Sequence, residues 1–498
     1  MKNIVILGGG TAGWMAANLF QKRWRQKGVS ITVGESPDIG IIGVGGGSTP
    51  LLKEFFDSLD ISESEWMPQC NATYKNGISF NNWSTVSGYE SYFHPFPCSL
   101  DFATFGLLYK YTALRRSGVD VLAHPNRFSL MAGLTQKKLA PLPAENFPFH
   151  FQYGYHFDSV LIGKFLRGKA KESGVSHIEG TVETVEQDSD GNIKALKLKN
   201  GDILSGDFFI DCSGFASILL QRTLKVPFLS FSENLFNDSA VALPTEIEAD
   251  APVETLSTAL TNGWAWKIPL TNRFGNGYVF SSQYCSPDEA ETELRAHLGI
   301  LDSDVDARHL KMKVGRAQES WAKNCLAVGL SQGFIEPLEA TALQFVYSTI
   351  DQFAQALEQG DFTNEHREAF NDQMNANFEG IRDYIVLHYK TNSRSDSQYW
   401  IDNRENQKIS ENLRAMIECW YGIEDMQEAL TRLEIGSYYS QRSWTCLLSG
   451  VGIFPRQENL AVPSASDALK AKEDLEYVDH FISGCSMNFE SQNKFLGR

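Results

Sequence analysis

Residues 3–7, Asn-Ile-Val-Ile-Leu, open the chain with an apolar run that predicts a strand covered on both faces. The run passes through Gly8-Gly9-Gly10-Thr11-Ala12-Gly13 into 14–20, Trp-Met-Ala-Ala-Asn-Leu-Phe, which has helical character. A second strand follows over 29–33 and ends at Glu35. Farther on, Tyr155-His156-Phe157-Asp158 precedes an amphipathic helix with Val160, Leu161, Phe165 and Leu166 on its apolar face. Strands at 182–185 and 195–198 flank the turn signal Asp190-Gly191, and a strand at 208–211 leads into Cys212-Ser213-Gly214-Phe215. Segments from about 225 to 310 alternate as in an antiparallel, β-rich insertion. A late strand at 325–328 turns through Gly329-Leu330-Ser331-Gln332-Gly333, and a helix is expected to start near Leu338, after Pro337, with Gly360 as its stop. Beyond it the pattern is mainly helical. The expected organisation is a discontinuous α/β domain over 1–360, interrupted by the β-rich insertion, followed by a helical region over 361–498.

The first turn gives this layout a chemistry. Gly8-x-Gly10-x-x-Gly13 joins a strand to a helix, and an acid, Glu35, stands 22 residues beyond Gly13 at the end of the next strand. Gly8 permits the tight turn, Gly10 lets a pyrophosphate approach the backbone, and Gly13 lets helix pack on strand. The helix start, Thr11-Ala12-Gly13, then offers unpaired N–H groups to phosphate, and Glu35 suits a ribose hydroxyl. A second stretch, from Gly40 to Gly47, has five glycines in eight positions, including Gly43-Val44-Gly45. It reads as backbone passing close to a flat ligand or as a flexible loop.

Charge narrows the partners. With 44 basic against 61 acidic residues the net charge is −17, which repels nucleic acid and anionic membranes. Eight scattered cysteines, without C-x-x-C or a neighbouring His, give no metal-ligand pattern and suit free thiols in a reducing cytoplasm. The first apolar run is cut by Gly8 too early for a signal-peptide core, and nothing approaches the ~20 apolar residues of a membrane span.

Three strings stand out for reactivity. Trp264-Ala265-Trp266-Lys267-Ile268-Pro269 places two indoles on one strand face, as a rigid wall or as ordinary core. Lys75 alternates with Gly77 and Ser79, opposite Tyr74, Ile78 and Phe80; it is either a solvated surface lysine or an amine lining a cavity. In Phe334-Ile335-Glu336-Pro337-Leu338-Glu339-Ala340-Thr341-Ala342, free N–H groups at a helix start would hold an anion, while the carboxylates read equally as partners of the helix dipole.

Taken in order, Gly8-x-Gly10-x-x-Gly13-Trp14, Tyr74-Lys75, His94-Pro95-Phe96, Tyr155-His156-Phe157-Asp158, Asp211-Cys212-Ser213-Gly214-Phe215, Trp264-x-Trp266-x-Ile268-Pro269 and Phe334-x-Glu336-Pro337-Leu338-Glu339 resemble the flavin-dependent halogenases over nearly the whole chain. The resemblance implies a Rossmann-like FAD-binding domain of the flavin monooxygenase type, with a β-rich insertion and a mainly helical C-terminal region. It implies that FAD, reduced to FADH2 by a separate NAD(P)H-dependent flavin reductase, is used with O2 and chloride or bromide to make hypohalous acid. The acid would pass through a tunnel to Lys75 and halogenate a small aromatic substrate. Glu339 resembles the carboxylate that orients the halogenating species or takes the arenium proton. Gly8, Gly10, Thr11, Ala12, Gly13, Glu35, Gly43, Val44, Gly45, Gly329 and Leu338 fall at the flavin site, and Thr341 and Ala342 at the halide site. Trp264 and Trp266 resemble the wall between flavin and substrate, and His94, Phe96, Tyr438, Tyr439 and Trp444 fall on the substrate side.

Three departures bear on substrate and halide. The strap reads Gly45-Gly46-Gly47-Ser48 where many relatives carry a glutamate, and Ala342 replaces a glycine beside the halide site. Residues 426–434 lack the Tyr-Tyr pair with which tryptophan-specific members hold the amino acid; the nearest pair is Tyr438-Tyr439. The expected substrate is therefore an indole, with free tryptophan disfavoured. An aromatic hydroxylase and a non-catalytic flavin carrier are the alternatives. The first would carry Gly-Asp where this chain has Gly329-Leu330, and the second needs neither Lys75 nor Glu339. A cytoplasmic location follows from the cysteines, and homodimer formation is left open.

Overall fold

The computed structural model describes residues 1–38, 40, 45–455 and 459–496. They form two compact units, each assembled from three stretches of chain. The first contains 1–72, 157–232 and 312–379, and the second 73–156, 233–311 and 380–498.

In the first unit the opening strand, Asn3–Leu7, is central because its side chains are apolar on both faces. It pairs in parallel with Ser30–Glu35 on one side and Phe208–Asp211 on the other. The sheet runs Trp321–Ala322, Cys325–Ala327, Phe208–Asp211, Asn3–Leu7, Ser30–Glu35, Ser176–Glu179, all parallel except the first pair. Helices Thr11–Trp24 and Ala342–Gln359 pack on one another, with Phe20 against Phe353. A three-stranded meander, Val182–Gln187, Ile193–Leu198 and Ile203–Ser205, closes an apolar cluster with Val5, Leu7, Phe209 and Leu219.

The second unit is built on a seven-stranded sheet ordered Arg308–Lys311, Ser239–Thr245, Phe274–Phe280, Gly263–Pro269, Thr255–Leu260, Gly77–Asn81, Ser91–Pro95. Its β-rich character from residue 239 onward matches the alternation of the sequence. Two features depart from a purely antiparallel insertion. Thr255–Leu260 pairs in parallel with Gly77–Asn81, so strands from distant parts of the chain share the sheet. Pro287–Leu298 is a helix, started by a Ser286/Glu289 capping box and stopped by Gly299 in the left-handed region.

The expected division at residue 360 is also revised, because compactness follows pairing in space. Residues 73–156 join the second unit through the pairing of Gly77–Asn81 with Thr255–Leu260, and 361–379 belong to the first. The helix expected near Leu338 starts later. Pro337–Glu339 is a 3-10 turn, Ala340 reverses it at φ +56°, and the α-helix begins at Ala342. Gly360 does follow that helix, without a left-handed backbone.

Candidate active site

The glycines of the first turn are needed for different reasons. Gly8 has φ +119°, and a Cβ there would lie 2.2 Å from the carbonyl oxygen of Cys212. A Cβ on Gly13 would lie 2.0 Å from the Gly8 oxygen, so helix Thr11–Trp24 can sit this close to the strand only with glycine. Gly10, which caps that helix, faces open space: nothing lies within 4 Å of its Cβ direction. The first N–H groups of the helix thus border a cradle that fits a pyrophosphate.

Glu35 ends the second strand beneath this turn, its carboxylate receiving His177 Nε2 at 2.9 Å. Gly329 (φ +70°) brings the late turn against Ala12: a Cβ added at Gly329 would lie 3.0 Å from the Ala12 Cβ. Asp211 holds the neighbouring loop: its carboxylate accepts the N–H groups of Ser213, Leu219 and Leu220 at 2.8–3.0 Å. The residues present therefore fit a dinucleotide such as FAD. The strap glycine Gly46 is a packing requirement and not mere slack, since a Cβ there would strike the Phe157 ring at 2.5 Å. Gly45 is left-handed at φ +81°, and Gly43 and Val44 lie outside the described residues.

Glu336, Leu338, Glu339 and Thr341 are all buried in the same unit, whereas Ala342 is exposed. The left-handed Ala340 ends the 3-10 turn, so the backbone reverses just before the helix whose first N–H groups belong to Ala342 and its successors. Holding an alanine there costs about 1–2 kcal/mol.

In the second unit Lys75 is not a surface residue; none of it reaches solvent. The single alternating strand expected around it is two strands, Thr73–Lys75 and Gly77–Asn81, separated by Asn76. Asn76 donates its side-chain N–H groups to Thr135 Oγ1 and to the Leu139 carbonyl, both at 3.1 Å, and its own carbonyl accepts Phe96 N–H at 3.1 Å. The break turns the chain at Lys75 and ties it to Phe96, whose ring centroid lies 5.4 Å from Lys75 Nζ, within cation–π range.

His94 and Phe96, on and just beyond strand Ser91–Pro95, are both half-buried. His94 Nε2 meets Ser443 Oγ at 3.0 Å, and its ring lies 6.0 Å from Tyr384. Tyr384 stacks on Tyr439 at 3.7 Å and meets Trp444 edge-on at 5.6 Å. The structure thus gathers His94, Tyr439 and Trp444 around Tyr384. Sequence reasoning missed Tyr384 because it is one apolar-compatible position among many in the 24-residue helix Arg367–Lys390. Tyr438, next to Tyr439, is half-buried. Trp264 and Trp266 are buried on strand Gly263–Pro269 with ring centroids 6.2 Å apart. Trp266 lies over Gly277 on the neighbouring strand, where any Cβ would be 2.1 Å from its ring.

A family model described as tryptophan halogenase matches residues 3–467. The chain belongs to the tryptophan halogenase family. This halogenase is 37% identical to a 7-chloro-L-tryptophan 6-halogenase of Kutzneria sp. (strain 744), over 94% of each chain. It is 33% identical to a tryptophan 7-halogenase of Lentzea aerocolonigenes, over 91% of this chain and 90% of that one. Among solved structures, a tryptophan 6-halogenase from Streptomyces toxytricini is similar with a TM-score of 0.85 at 34% identity, covering 100% of both chains. A flavin-dependent halogenase from Brevundimonas sp. BAL3 gives 0.84 at 30% identity, covering 100% of this chain and 99% of that one. The halogenase is thus an enzyme of the α/β class with a Rossmann-type FAD domain, and it halogenates an aromatic substrate using reduced flavin and halide. No helix among the described residues is long and apolar enough to cross a membrane.

Proposed function

We propose that the halogenase acts on a flat aromatic substrate, an indole without a free amino-acid tail, and that Lys75 delivers the halogen. Complete burial of Lys75 against the Phe96 ring is the observation that carries the reading. An ammonium is kept out of water at such a place only for a purpose, because desolvation is costly and a surface site was available to the sequence. When bound, reduced FAD supplies, with O2 and a halide, the oxidising equivalent that makes hypohalous acid. Lys75 Nζ would donate a hydrogen bond to the hypohalous oxygen, or take the halogen as a haloamine, and so orient the electrophile. Attack by the ring on the halogen forms a C–halogen bond as the halogen's bond to oxygen, or to Nζ in the haloamine, breaks. The oxygen leaves as water with the Lys75 proton, or Nζ leaves as the amine, and the ring proton passes to a buried carboxylate, for which Glu339 is the candidate.

Gly8, Gly10, Thr11, Ala12, Gly13, Glu35 and Gly329 would hold the flavin, and the backbone at Thr341 and Ala342 the halide; chloride and bromide both suit such N–H groups. His94, Phe96, Tyr439 and Trp444 would hold the substrate. Tyr439 is already engaged in stacking on Tyr384, which favours a ring-binding wall over a grip on an amino acid. A separate NAD(P)H-dependent reductase would supply the reduced flavin, and free thiols fit a cytoplasmic site of action.

The test supplies FAD, a reductase, NADH and either halide, and follows halogenated mass from indole, tryptophan and phenols. Indole should be the best substrate, and without the reductase NADH should not be consumed. Lys75→Ala should abolish product while leaving flavin binding intact, and Glu339→Gln should lower kcat by about 100-fold. Product at the wild-type rate from Lys75→Ala would remove that residue from the mechanism.

A further inference from the structure

His156, in the Tyr155-His156-Phe157-Asp158 motif, has no part in the chemistry above, yet it is wholly buried and both ring nitrogens are engaged. Its Nδ1 lies 3.1 Å from Thr73 Oγ1, and its Nε2 lies 2.9 Å from Thr255 Oγ1. Thr73 Oγ1 donates to the Pro269 carbonyl at 2.7 Å. A threonine hydroxyl has one proton, so toward the imidazole Thr73 can only accept. Nδ1 must therefore carry the hydrogen, and in the neutral ring Nε2 accepts from Thr255. One direction runs through the chain: Thr255 to His156 to Thr73 to Pro269.

The partners explain why this matters. Thr73 stands opposite His156 across a strand pair, and Lys75, two residues on, shares its face, opposite Gly154. Thr255 opens the strand next to Gly263–Pro269, and Pro269 closes the latter, the strand of the two tryptophans. We propose that His156 is a positioning residue for Lys75, its hydrogen-bond chain fastening the lysine's strand to two neighbouring strands at one end of the tryptophan-bearing sheet and giving the ammonium a flank without charge. Burial first, and then the nearby charge of Lys75, hold the imidazole well below its usual range, so it neither donates nor takes a proton during turnover. The inference rests on the role proposed for Lys75.

Three variants and a control separate the possibilities. His156→Phe keeps a ring and loses both bonds, Thr255→Val removes one donor, Thr255→Ser restores it, and Lys75→Met is the control. In the loaded enzyme, Thr255→Val should lower kcat about ten-fold, the worth of one buried hydrogen bond, and His156→Phe, which loses two, at least as much. KM for the aromatic substrate should stay unchanged, and more hypohalous acid should reach a diketone trap in solution. Thr255→Ser should recover the wild-type ratio of product to trapped acid. A merely structural histidine would lower the melting temperature and leave that ratio unmoved, which overturns the proposal. Wild-type product from Lys75→Met would overturn it too, by removing the role of Lys75; wild-type partition in His156→Phe with an inactive Lys75→Met overturns this inference alone. Independently of flavin, ¹⁵N spectra of histidine-labelled protein should show His156 as the neutral Nδ1–H tautomer from about pH 6 to 8. An imidazolium or an Nε2–H tautomer refutes the chain, and this readout and Thr255→Val remain if His156→Phe does not fold.

Discussion

Replacing Asp101 by asparagine should stabilise the protein at neutral pH. Asp101 is the first residue of helix Asp101–Arg116 and is wholly buried. Its Oδ1 accepts the Leu130 N–H at 2.9 Å, but among the described residues its buried Oδ2 has no hydrogen-bond partner. Burial pushes the carboxyl from 3.8 up to about 6; the Leu130 N–H and the charge of Arg442 pull back only part of the way. The folded value lies above the unfolded one, so the group's contribution is fully present below about pH 4 and is lost as the pH rises through 6. Above pH 6 the loss is the difference between the two values, about 2 units, or about 3 kcal/mol. Asparagine can keep the Leu130 bond through its carbonyl and carries no charge to desolvate. Thermal melts at low protein concentration should therefore show Asp101→Asn several degrees above wild type at pH 7.5, with the gap shrinking toward zero near pH 4. No gain at pH 7.5, or a gain equally large at pH 4, would refute the assignment of a buried, poorly solvated carboxylate.

Gly13→Ala should weaken FAD binding at least about ten-fold in a flavin fluorescence titration, because the added Cβ would lie 2.0 Å from the Gly8 carbonyl and the turn must open to admit it. Binding at wild-type strength would show that the turn tolerates that opening. Gly277→Ala forces its methyl to 2.1 Å from the Trp266 ring and should cost about 1–3 kcal/mol in a thermal or urea melt, with a changed near-UV signal from the displaced indole. An unchanged melt and spectrum would mean that Trp266 has room to move.

Much of the first unit was legible because its signals are local. The Asn3–Leu7 strand and the glycines at 8, 10 and 13 are separate requirements of one short turn, and each can be stated from residue type alone. The second unit was harder, because what decides its site is pairing across long stretches of chain. Alternation around Lys75 suits an exposed face as well as a buried one. What removes the lysine from water includes a strand pair with 154–156 and the break at Asn76, anchored on Thr135 and Leu139. His156 was visible as part of a motif, but its partners lie 83 and 99 residues away. The helix expected near Leu338 was misplaced because Pro337 is as compatible with a 3-10 turn as with an α-helical first turn, and nothing in the residue type of Ala340 announces a left-handed backbone.

The interleaving of the two units also governs how the protein is made. The chain changes unit after residues 72, 156, 232, 311 and 379, so the first unit lacks its last stretch until residue 379 of 498 has been synthesised. Before that stretch is made, the parallel sheet around Asn3–Leu7 lacks strand Cys325–Ala327 and the cover of helix Ala342–Gln359. Asn3–Leu7 waits for Phe208–Asp211, about 200 residues on, and the free edge of that strand waits for Cys325–Ala327, more than 100 residues farther. Such long-range closure makes folding slow and exposes unpaired strand edges during synthesis, so growth at low temperature and abundant chaperone are the conditions under which this enzyme should accumulate in folded form.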